Sequence, residues 1–125
     1  MTDIEENMQT PRMNFDMFVQ SECVRNCWIY ERDIAIYVRR STRFINNKPI
    51  KCLDLASVEV IEEHRGMGIF TGFLSRFEEA AKKLNRAVFV ESILNKRLEK
   101  FLEKRGYTHH PHSVELCPSM YKVLP

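Results

Sequence analysis

Apolar residues recur at helical spacing in three parts of the chain. The strongest period spans residues 70–84 and has a charged face opposite the apolar one, as in a helix that packs one side against a core. A second helix is predicted from Asn95 to Arg105, with Gly106 as its C-terminal stop. A weaker period from Asn14 to Asn26 predicts a third helix. The apolar positions of the strongest period are Phe70, Phe73, Leu74, Phe77, Ala81 and Leu84.

Between these helices, runs of β-branched and aromatic residues predict strands. The longest is Ile50–Val60, which follows a turn signal at Asn46-Asn47-Lys48-Pro49. Ala87–Val90 is apolar throughout, as expected of a strand buried on both faces. The order of helices and strands predicts a mixed α/β fold with a central sheet. The other predicted strands are Trp28–Tyr30, Ile34–Val38, a segment around Tyr107, and Met120–Leu124.

Composition narrows the class of protein. The chain has 125 residues, so one domain over residues 1–125 is expected, with residues 1–12 disordered or loosely held. No apolar run approaches the roughly 20 residues that cross a bilayer, and the N-terminus is polar, so we expect a cytoplasmic protein. The net charge of +2 is too small for a dedicated nucleic-acid binder. The four cysteines match no common zinc or redox spacing and are expected to be reduced thiols.

A glycine turn, His64-Arg65-Gly66-Met67-Gly68-Ile69, joins the longest strand to the strongest helix. Glycine lets backbone N–H groups approach a bound group without a Cβ in the way. The first N–H groups of a helix lack internal partners and lie at the positive end of its dipole, which suits a phosphate or diphosphate. The turn lacks the third glycine of a dinucleotide fingerprint and the Gly-Lys-Ser/Thr of a phosphate loop. On spacing alone, a tight turn without a ligand remains an equal alternative.

Residues 53–107 resemble the GNAT superfamily of acyl-CoA-dependent N-acyltransferases. The first GNAT signature is an apolar strand, Arg/Gln-x-x-Gly-x-Gly/Ala and a helix. Here Arg65 matches the leading position and Gly68 the middle glycine, whereas Phe70 stands where Gly or Ala is usual. The second signature is an Asn after the next strand and a short helix that closes with Gly and an aromatic residue. The residues that match it are Asn95, Gly106 and Tyr107.

The resemblance implies a mixed central sheet with splayed strands, helices on both faces, and acetyl-CoA as acyl donor, without a metal. The strand that ends at Val60 is expected to diverge from Ala87–Val90 and form a V that holds the pantetheine arm. The backbone of Val58 and Val60 is expected to bond the arm, and Asn95 to contact it. The residues expected at the diphosphate are Arg65, Gly66, Met67, Gly68, Ile69, Phe70 and Thr71.

Acylation of an amine needs a base, and a strand carboxylate can remove the amine proton through water. Asp54 lies six residues before Val60, where GNAT members with a strand base carry it. Glu91 ends the strand on the other arm of the V and is the first choice. Glu59 alternates with its neighbours and is expected to point to the opposite face. A paired or solvent-facing carboxylate is the alternative for each of the three.

The general acid departs from the GNAT pattern. A Tyr often stands seven residues after the Asn, but here that residue is Leu102, which has no proton to donate. Ser92, Tyr107 and Tyr121 are possible substitutes. A thiolate is only modestly basic, so it can also leave without a strong acid.

Two other clusters of residues have structural interpretations that need no ligand. His109, His110 and His112, with Cys117 nearby, are conceivable zinc ligands, but a polar hairpin around Pro111 is the favoured interpretation. The basic residues of the earlier strands are Arg39, Arg40, Arg43, Lys48 and Lys51. They are expected to form a solvated face, with an acidic substrate, a nucleic acid or the cofactor's 3′-phosphate as functional alternatives.

Together these features predict an N-acetyltransferase that transfers the acetyl group of acetyl-CoA directly to an amine on a small molecule or a protein. Binding of nucleic acid or membrane is not expected. The alternative is a non-catalytic acyl-CoA-binding or protein-interaction module on the same scaffold. Leu102, Phe70 and the short N-terminal part favour that alternative.

Overall fold

The computed structural model describes residues 12–31, 34–60, 68–111 and 116–124. Among them, no helix is long and apolar enough to span a bilayer. The elements are β1 (Arg12–Met13), α1 (Phe15–Gln20), β2 (Asn26–Glu31), β3 (Ile34–Ile45), β4 (Lys48–Val60), α2 (Ile69–Lys83), β5 (Ala87–Val90), α3 (Lys96–Lys104), β6 (Thr108–His109) and β7 (Met120–Lys122).

The strands form one mixed sheet in the order β1-β2-β3-β4-β5-β7-β6. The pairs β1–β2 and β4–β5 are parallel, and the other neighbours are antiparallel. The chain crosses between β4 and β5 through α2, as parallel neighbours require. The predicted mixed α/β fold with a central sheet is therefore confirmed.

A long hairpin of β3 and β4 dominates the N-terminal half. Asn46 and Asn47 turn the chain with positive φ angles of 53° and 64°, which the two-residue turns of hairpins require and asparagine tolerates. The predicted turn is therefore present, but Lys48 and Pro49 already belong to β4. Strand β3 ends at Ile45 rather than Val38, and β4 starts at Lys48 rather than Ile50, because the two strands pair along the whole hairpin.

Helix α1 is much shorter than the predicted Asn14–Asn26. Asn14 caps it, since its side-chain oxygen accepts a 2.8 Å bond from the N–H of Met17. At the C-terminal end of α1, the guanidinium of Arg40 binds the carbonyl groups of Phe18 and Val19, and it also binds that of Val24 beyond the helix. These bonds satisfy carbonyl groups that would otherwise be left unpaired where the helix stops. The helix therefore ends early, and β2 begins at Asn26.

All three described helices pack on one face of the sheet. The ring of Phe15 on α1 lies 5.2 Å from Phe73 and 5.5 Å from Phe77 on α2. Leu102 of α3 joins the same apolar cluster and is fully buried. The sheet contributes alternate residues, among them Ile36, Leu55 and Val90. The expectation of helices on both faces is therefore wrong for the part of the chain that the structure describes.

We call the opposite side of the sheet the open face. Cross-strand partners share a face, so the register assigns Trp28 with Tyr37, Arg39 with Asp54, and Asp54 with Phe89 to it. Phe89 is nearly fully buried there, under polar and aromatic side chains rather than a described helix. The two faces therefore differ in what covers them.

Candidate active site

The two central parallel strands, β4 and β5, separate partway along their length. Their register runs from Cys52 opposite Ala87 to Leu55 opposite Val90. One further bond joins the N–H of Glu91 to the carbonyl of Leu55, at 3.0 Å. Beyond that point β4 continues to Val60 against β3, whereas β5 has ended. The edge of β4 that includes Val58 and Val60 therefore extends past β5, as the predicted splay requires.

A β-bulge lies where the strands separate. On β3, Tyr37 pairs with Ser57 and the next residue, Val38, pairs with Leu55, so Ala56 is the extra residue of β4. A bulge bends its strand and increases the local twist. It also shifts the alternation of side chains, so that Val58 packs against the helix-side core although Leu53 and Leu55 precede it there. The bulge thus gives a physical reason for the divergence of β4.

Helix α2 begins at a glycine in a left-handed conformation. Gly68 has φ 80° and ψ 6°, a region that disfavours residues with a Cβ. A Cβ added at Gly68 would meet no atom of the described residues within 4 Å, its chain neighbours aside, so these residues leave space beside Gly68. The first bond within the helix runs from the N–H of Gly72 to the carbonyl of Gly68. The N–H groups of residues 69–71 therefore have no partner inside the helix and fit an anion.

The other predicted diphosphate residues have mixed surroundings. Thr71 is exposed at the first turn of α2, and Ile69 is half-buried. Phe70 packs against the core and against Phe101 of α3, with ring centroids 6.4 Å apart. It therefore links the two helices at the place where GNAT members usually have a small residue. The predicted contacts Arg65, Gly66 and Met67 lie outside the described residues.

Asn95 caps helix α3. Its side-chain oxygen accepts bonds from the N–H groups of Arg97 and Leu98, at 2.8 and 3.4 Å. The side chain is exposed at the end of the loop that follows β5. This capping role accounts for an asparagine here without a ligand, and contact with the cofactor arm remains a prediction.

The two carboxylates predicted to be catalytic, Asp54 and Glu91, belong to one ion-pair network on the open face. Asp54 is fully buried, and its carboxylate accepts bonds from Arg39 at 3.0 Å, Ser41 at 2.7 Å and Arg43 at 2.8 Å. Glu91 also binds Arg39, has Arg43 at 3.8 Å, and keeps a 32% exposed side chain. A buried charge needs such partners. Asp54 is enclosed by these donors, whereas Glu91 reaches solvent beside the splay.

The two arginines are functional candidates that sequence reasoning treated as surface charge. Burial disfavours the charge of Arg39, but its bonds to Asp54 and Glu91 outweigh burial and raise its pKa. Arg43 lies over the ring of Phe89, 3.8 Å from its centroid. The alternation of Arg39, Ser41 and Arg43 along β3 was the available signal, because it places all three on one face. Arg40 points the other way and caps α1.

The candidates for the general acid are scattered. Ser92 is exposed beside the splay, with a positive φ of 51°, and its N–H binds the hydroxyl of Ser119 at 3.0 Å. Tyr107 is buried on the helix side and donates a 2.7 Å bond to Glu78. Burial and the neighbouring carboxylate raise the pKa of Tyr107 far above its usual value. Only Ser92 and the half-buried Tyr121 therefore remain near the open face.

The histidines do not gather into one site among the described residues. His109 binds Glu99 at 2.8 Å, whereas His110 packs edge-to-face against Phe89 and binds the carbonyl of Phe44. Glu99, Glu103 and His109 bring ligand atoms within 4.8 Å of one another. Lys96 also bonds Glu99 at 3.3 Å, so ordinary ion pairs account for this group. His112 lies outside the described residues, and Cys117 is a half-buried free thiol.

No profile of a known protein family matches the sequence, and no curated protein sequence is detectably similar to it. The fold, in contrast, is similar to that of solved GNAT acetyltransferases. A Y144F mutant of the AtaT toxin, bound to the C-terminus of the antitoxin AtaR and acetyl-CoA, is 17% identical with a TM-score of 0.54. AtaT complexed with acetyl-methionyl-tRNAfMet is 16% identical with a TM-score of 0.54.

A third similar structure is that of histone acetyltransferase HPA2 and related acetyltransferase from Corynebacterium glutamicum, with 17% identity and a TM-score of 0.52. The matches cover 70% of this chain for both AtaT structures and 76% for HPA2. The chain spans only 56–60% of the length of these proteins. Similarity at this level of identity concerns the fold.

Proposed function

We propose that this chain is an N-acetyltransferase that binds acetyl-CoA between the diverging ends of β4 and β5. The observation that carries the proposal is the splay itself, since β4 runs from the last β5 pair at Leu55 on to Val60. An extended arm with amide groups can pair with such an exposed strand edge. The N–H groups of residues 69–71, which have no partner inside α2, and the space that the described residues leave beside Gly68 support a diphosphate site here. The acetyl-CoA bound to one similar structure supports the choice of donor.

In the proposed reaction, Glu91 accepts the proton of the acceptor amine through a water molecule. The amine nitrogen forms a bond to the thioester carbonyl carbon, the carbon–sulfur bond breaks, and the thiolate takes up a proton to leave as coenzyme A. Ser92 is the residue proposed to relay that proton, since its hydroxyl can pass a proton to the sulfur while it takes one up from solvent. Asp54 is proposed to hold Arg39 and Arg43 in place, because its carboxylate is enclosed by three donors.

Calorimetric titration with acetyl-CoA tests cofactor binding. Gly68→Val should weaken the affinity by at least about tenfold, because the new side chain fills the space proposed for the diphosphate. Gly106→Ala is the matched control, since Gly106 also has a positive φ, of 98°, but closes α3 instead. Equal affinities of the two variants for acetyl-CoA would show that the diphosphate does not bind at this turn. Absence of binding by the unmodified protein would refute the proposal.

A non-catalytic acyl-CoA-binding module is the second candidate. Leu102 favours it, because the position where GNAT members often carry a tyrosine is fully buried in the core. Tyr107, the nearest alternative after α3, is bonded to Glu78. The assay that separates the candidates is release of free thiol from acetyl-CoA in the presence of amines. Binding without thiol release would favour the module.

A further inference from the structure

We infer that the acceptor is a polypeptide, which presents an amino-terminal or lysine amine while lying on the open face. The inference rests on the proposed function and narrows its acceptor, which the sequence left as a small molecule or a protein. It depends on where the acceptor must approach, on the shape of that surface, and on its charge.

The acceptor must reach the splay from the open face. Glu91 lies two residues after Phe89 along the chain and binds Arg39, so its carboxylate is on the same side as the Asp54 network. Helix α2, whose first turn is proposed to hold the diphosphate, packs on the other side. Donor and acceptor would thus meet from opposite faces, and the acceptor would pass over β3 and β4.

The open face has the shape of a docking surface. No described helix covers it, whereas small-molecule sites are concave and enclose most of their ligand. A groove of about 400 Å³ does occur, but it lies between α1 and α2 and is lined by residues such as Phe15, Val19 and Ala80. Among the described residues, the open face beside Glu91 is an extended surface, across which an extended or folded chain could spread.

The open face carries side chains of the types that dominate protein interfaces. Trp28 stacks on Tyr30 with ring centroids 6.2 Å apart and contacts Tyr37 at 5.4 Å. Trp28 and Tyr37 are half-buried, and Tyr30 is 39% exposed. Tryptophan, tyrosine and arginine are the residues most enriched among interface hot spots. This aromatic cluster continues along β3 into Arg39, beside Glu91.

Charge distinguishes a polypeptide from a nucleic acid. The two guanidinium groups of Arg39 and Arg43 are matched by the carboxylates of Asp54 and Glu91. The network therefore carries no net charge, and phosphate groups would gain little from it, because nucleic-acid affinity depends on unneutralised cations. A neutral network of internally satisfied ion pairs can instead be covered by a polypeptide at small electrostatic cost.

Trp28 is the single tryptophan of the chain, so its fluorescence reports on this surface whether or not turnover occurs. The experiment adds three probes to the acetyl-CoA-loaded protein: a mixed-sequence peptide library with free amino termini and lysines, spermidine, and an amine-tagged single-stranded oligonucleotide. Trp28 emission and thiol release are measured for each probe. Peptides are expected to change the emission saturably and to be the preferred acceptors.

Tyr37→Ala should weaken the peptide effect about tenfold, as for an interface hot spot, and leave the affinity for acetyl-CoA unchanged. Met17→Ala is the control, because Met17 is 51% exposed on α1, on the helix side. If Tyr37→Ala does not fold, the emission changes of the unmodified protein alone decide the matter.

Preference for spermidine, or a salt-sensitive preference for the oligonucleotide, would overturn the inference and leave the acetyltransferase proposal standing. So would unchanged Trp28 emission with every probe. Failure of acetyl-CoA to bind would refute the proposed function instead, and the peptide titration without cofactor would still test the docking surface.

Discussion

The two faces of the sheet solve the problem of coverage differently. On the helix side, apolar residues of three helices bury the strands, and Phe15, Phe73 and Phe77 pack ring against ring. On the open face, Phe89 and Asp54 are buried by charged and aromatic side chains of the sheet itself. The helix side therefore depends on packing, and the open face on one satisfied network.

This difference separates stability from the proposed chemistry. The apolar side supplies most of the hydrophobic stabilisation, which scales with the area removed from water. The open face leaves Glu91 and the aromatic cluster accessible. We therefore expect substitutions on the helix side to reduce stability, and most substitutions on the open face to weaken binding of the acceptor. Asp54 is the exception, since it is buried on the open face.

The largest expected loss of stability comes from the helix-side core. Phe77→Ala removes a fully buried ring that stacks on Phe15 and should lower the free energy of unfolding by about 4 kcal/mol. Urea denaturation measures the change. Met17→Ala, at an exposed position of α1, should change it by no more than about 0.5 kcal/mol. A loss from Phe77→Ala as small as the control's would contradict the contrast between the faces.

A smaller loss of stability is expected from substitution of Asp54, the buried carboxylate of the open face. Asp54→Asn removes the charge that pairs with Arg39 and Arg43, and should cost about 3 kcal/mol because that carboxylate is buried. Glu91→Gln, at a partly exposed member of the same network, should cost about 1 kcal/mol or less. Urea denaturation of both variants tests the ranking. Equal losses of unfolding free energy in the two variants would mean that Asp54 stabilises the protein no more than Glu91 does.

Next in size is a single hydrogen bond between α2 and the segment after α3. Tyr107→Phe removes the hydroxyl that donates to Glu78 and should cost about 1 kcal/mol, because Arg105 still binds that carboxylate. The same denaturation assay measures it, and acetyl-CoA affinity and thiol release should stay unchanged. A loss of turnover with normal cofactor binding would instead support Tyr107 as the general acid.

The smallest effect is the acid sensitivity of the helix side. The hydrogen bond from Arg76 holds the pKa of Glu31 below its usual value. Burial alone would raise the pKa of Glu78, but the bonds from Arg105 and Tyr107 outweigh it and lower the pKa. A lowered folded-state pKa contributes stability above the unfolded value, and that stability is lost as the pH falls through the folded value.

We therefore expect the free energy of unfolding to decrease as the pH is lowered below about 5. Glu78→Gln should make that decrease smaller than in the Met17→Ala control. Urea denaturation curves recorded at several pH values measure the slope. An equal slope in the two variants would mean that Glu78 contributes nothing to the acid sensitivity.

Local patterns in the sequence were sufficient for the elements around the site. The period of α2, the apolar run of β5 and the cap and stop of α3 each depend on neighbours along the chain, and all three elements are present at the expected places. The left-handed Gly68 fits the predicted turn for the same reason, since a backbone conformation selects its residue locally. The long α1 was wrong because Arg40, distant in sequence, binds the carbonyl groups at its end.

By itself, then, the sequence determined the order of the main helices and strands and the place of Gly68 at the start of α2. Only the tertiary structure decided that the described helices share one face, that Ala56 bulges where the strands diverge, and that Asp54 is enclosed while Glu91 stays accessible. The reason is physical. Periodicity is a property of neighbouring residues, whereas burial and charge pairing depend on strand register. The register brings together Arg39 of β3, Asp54 of β4 and Glu91, the residue after β5.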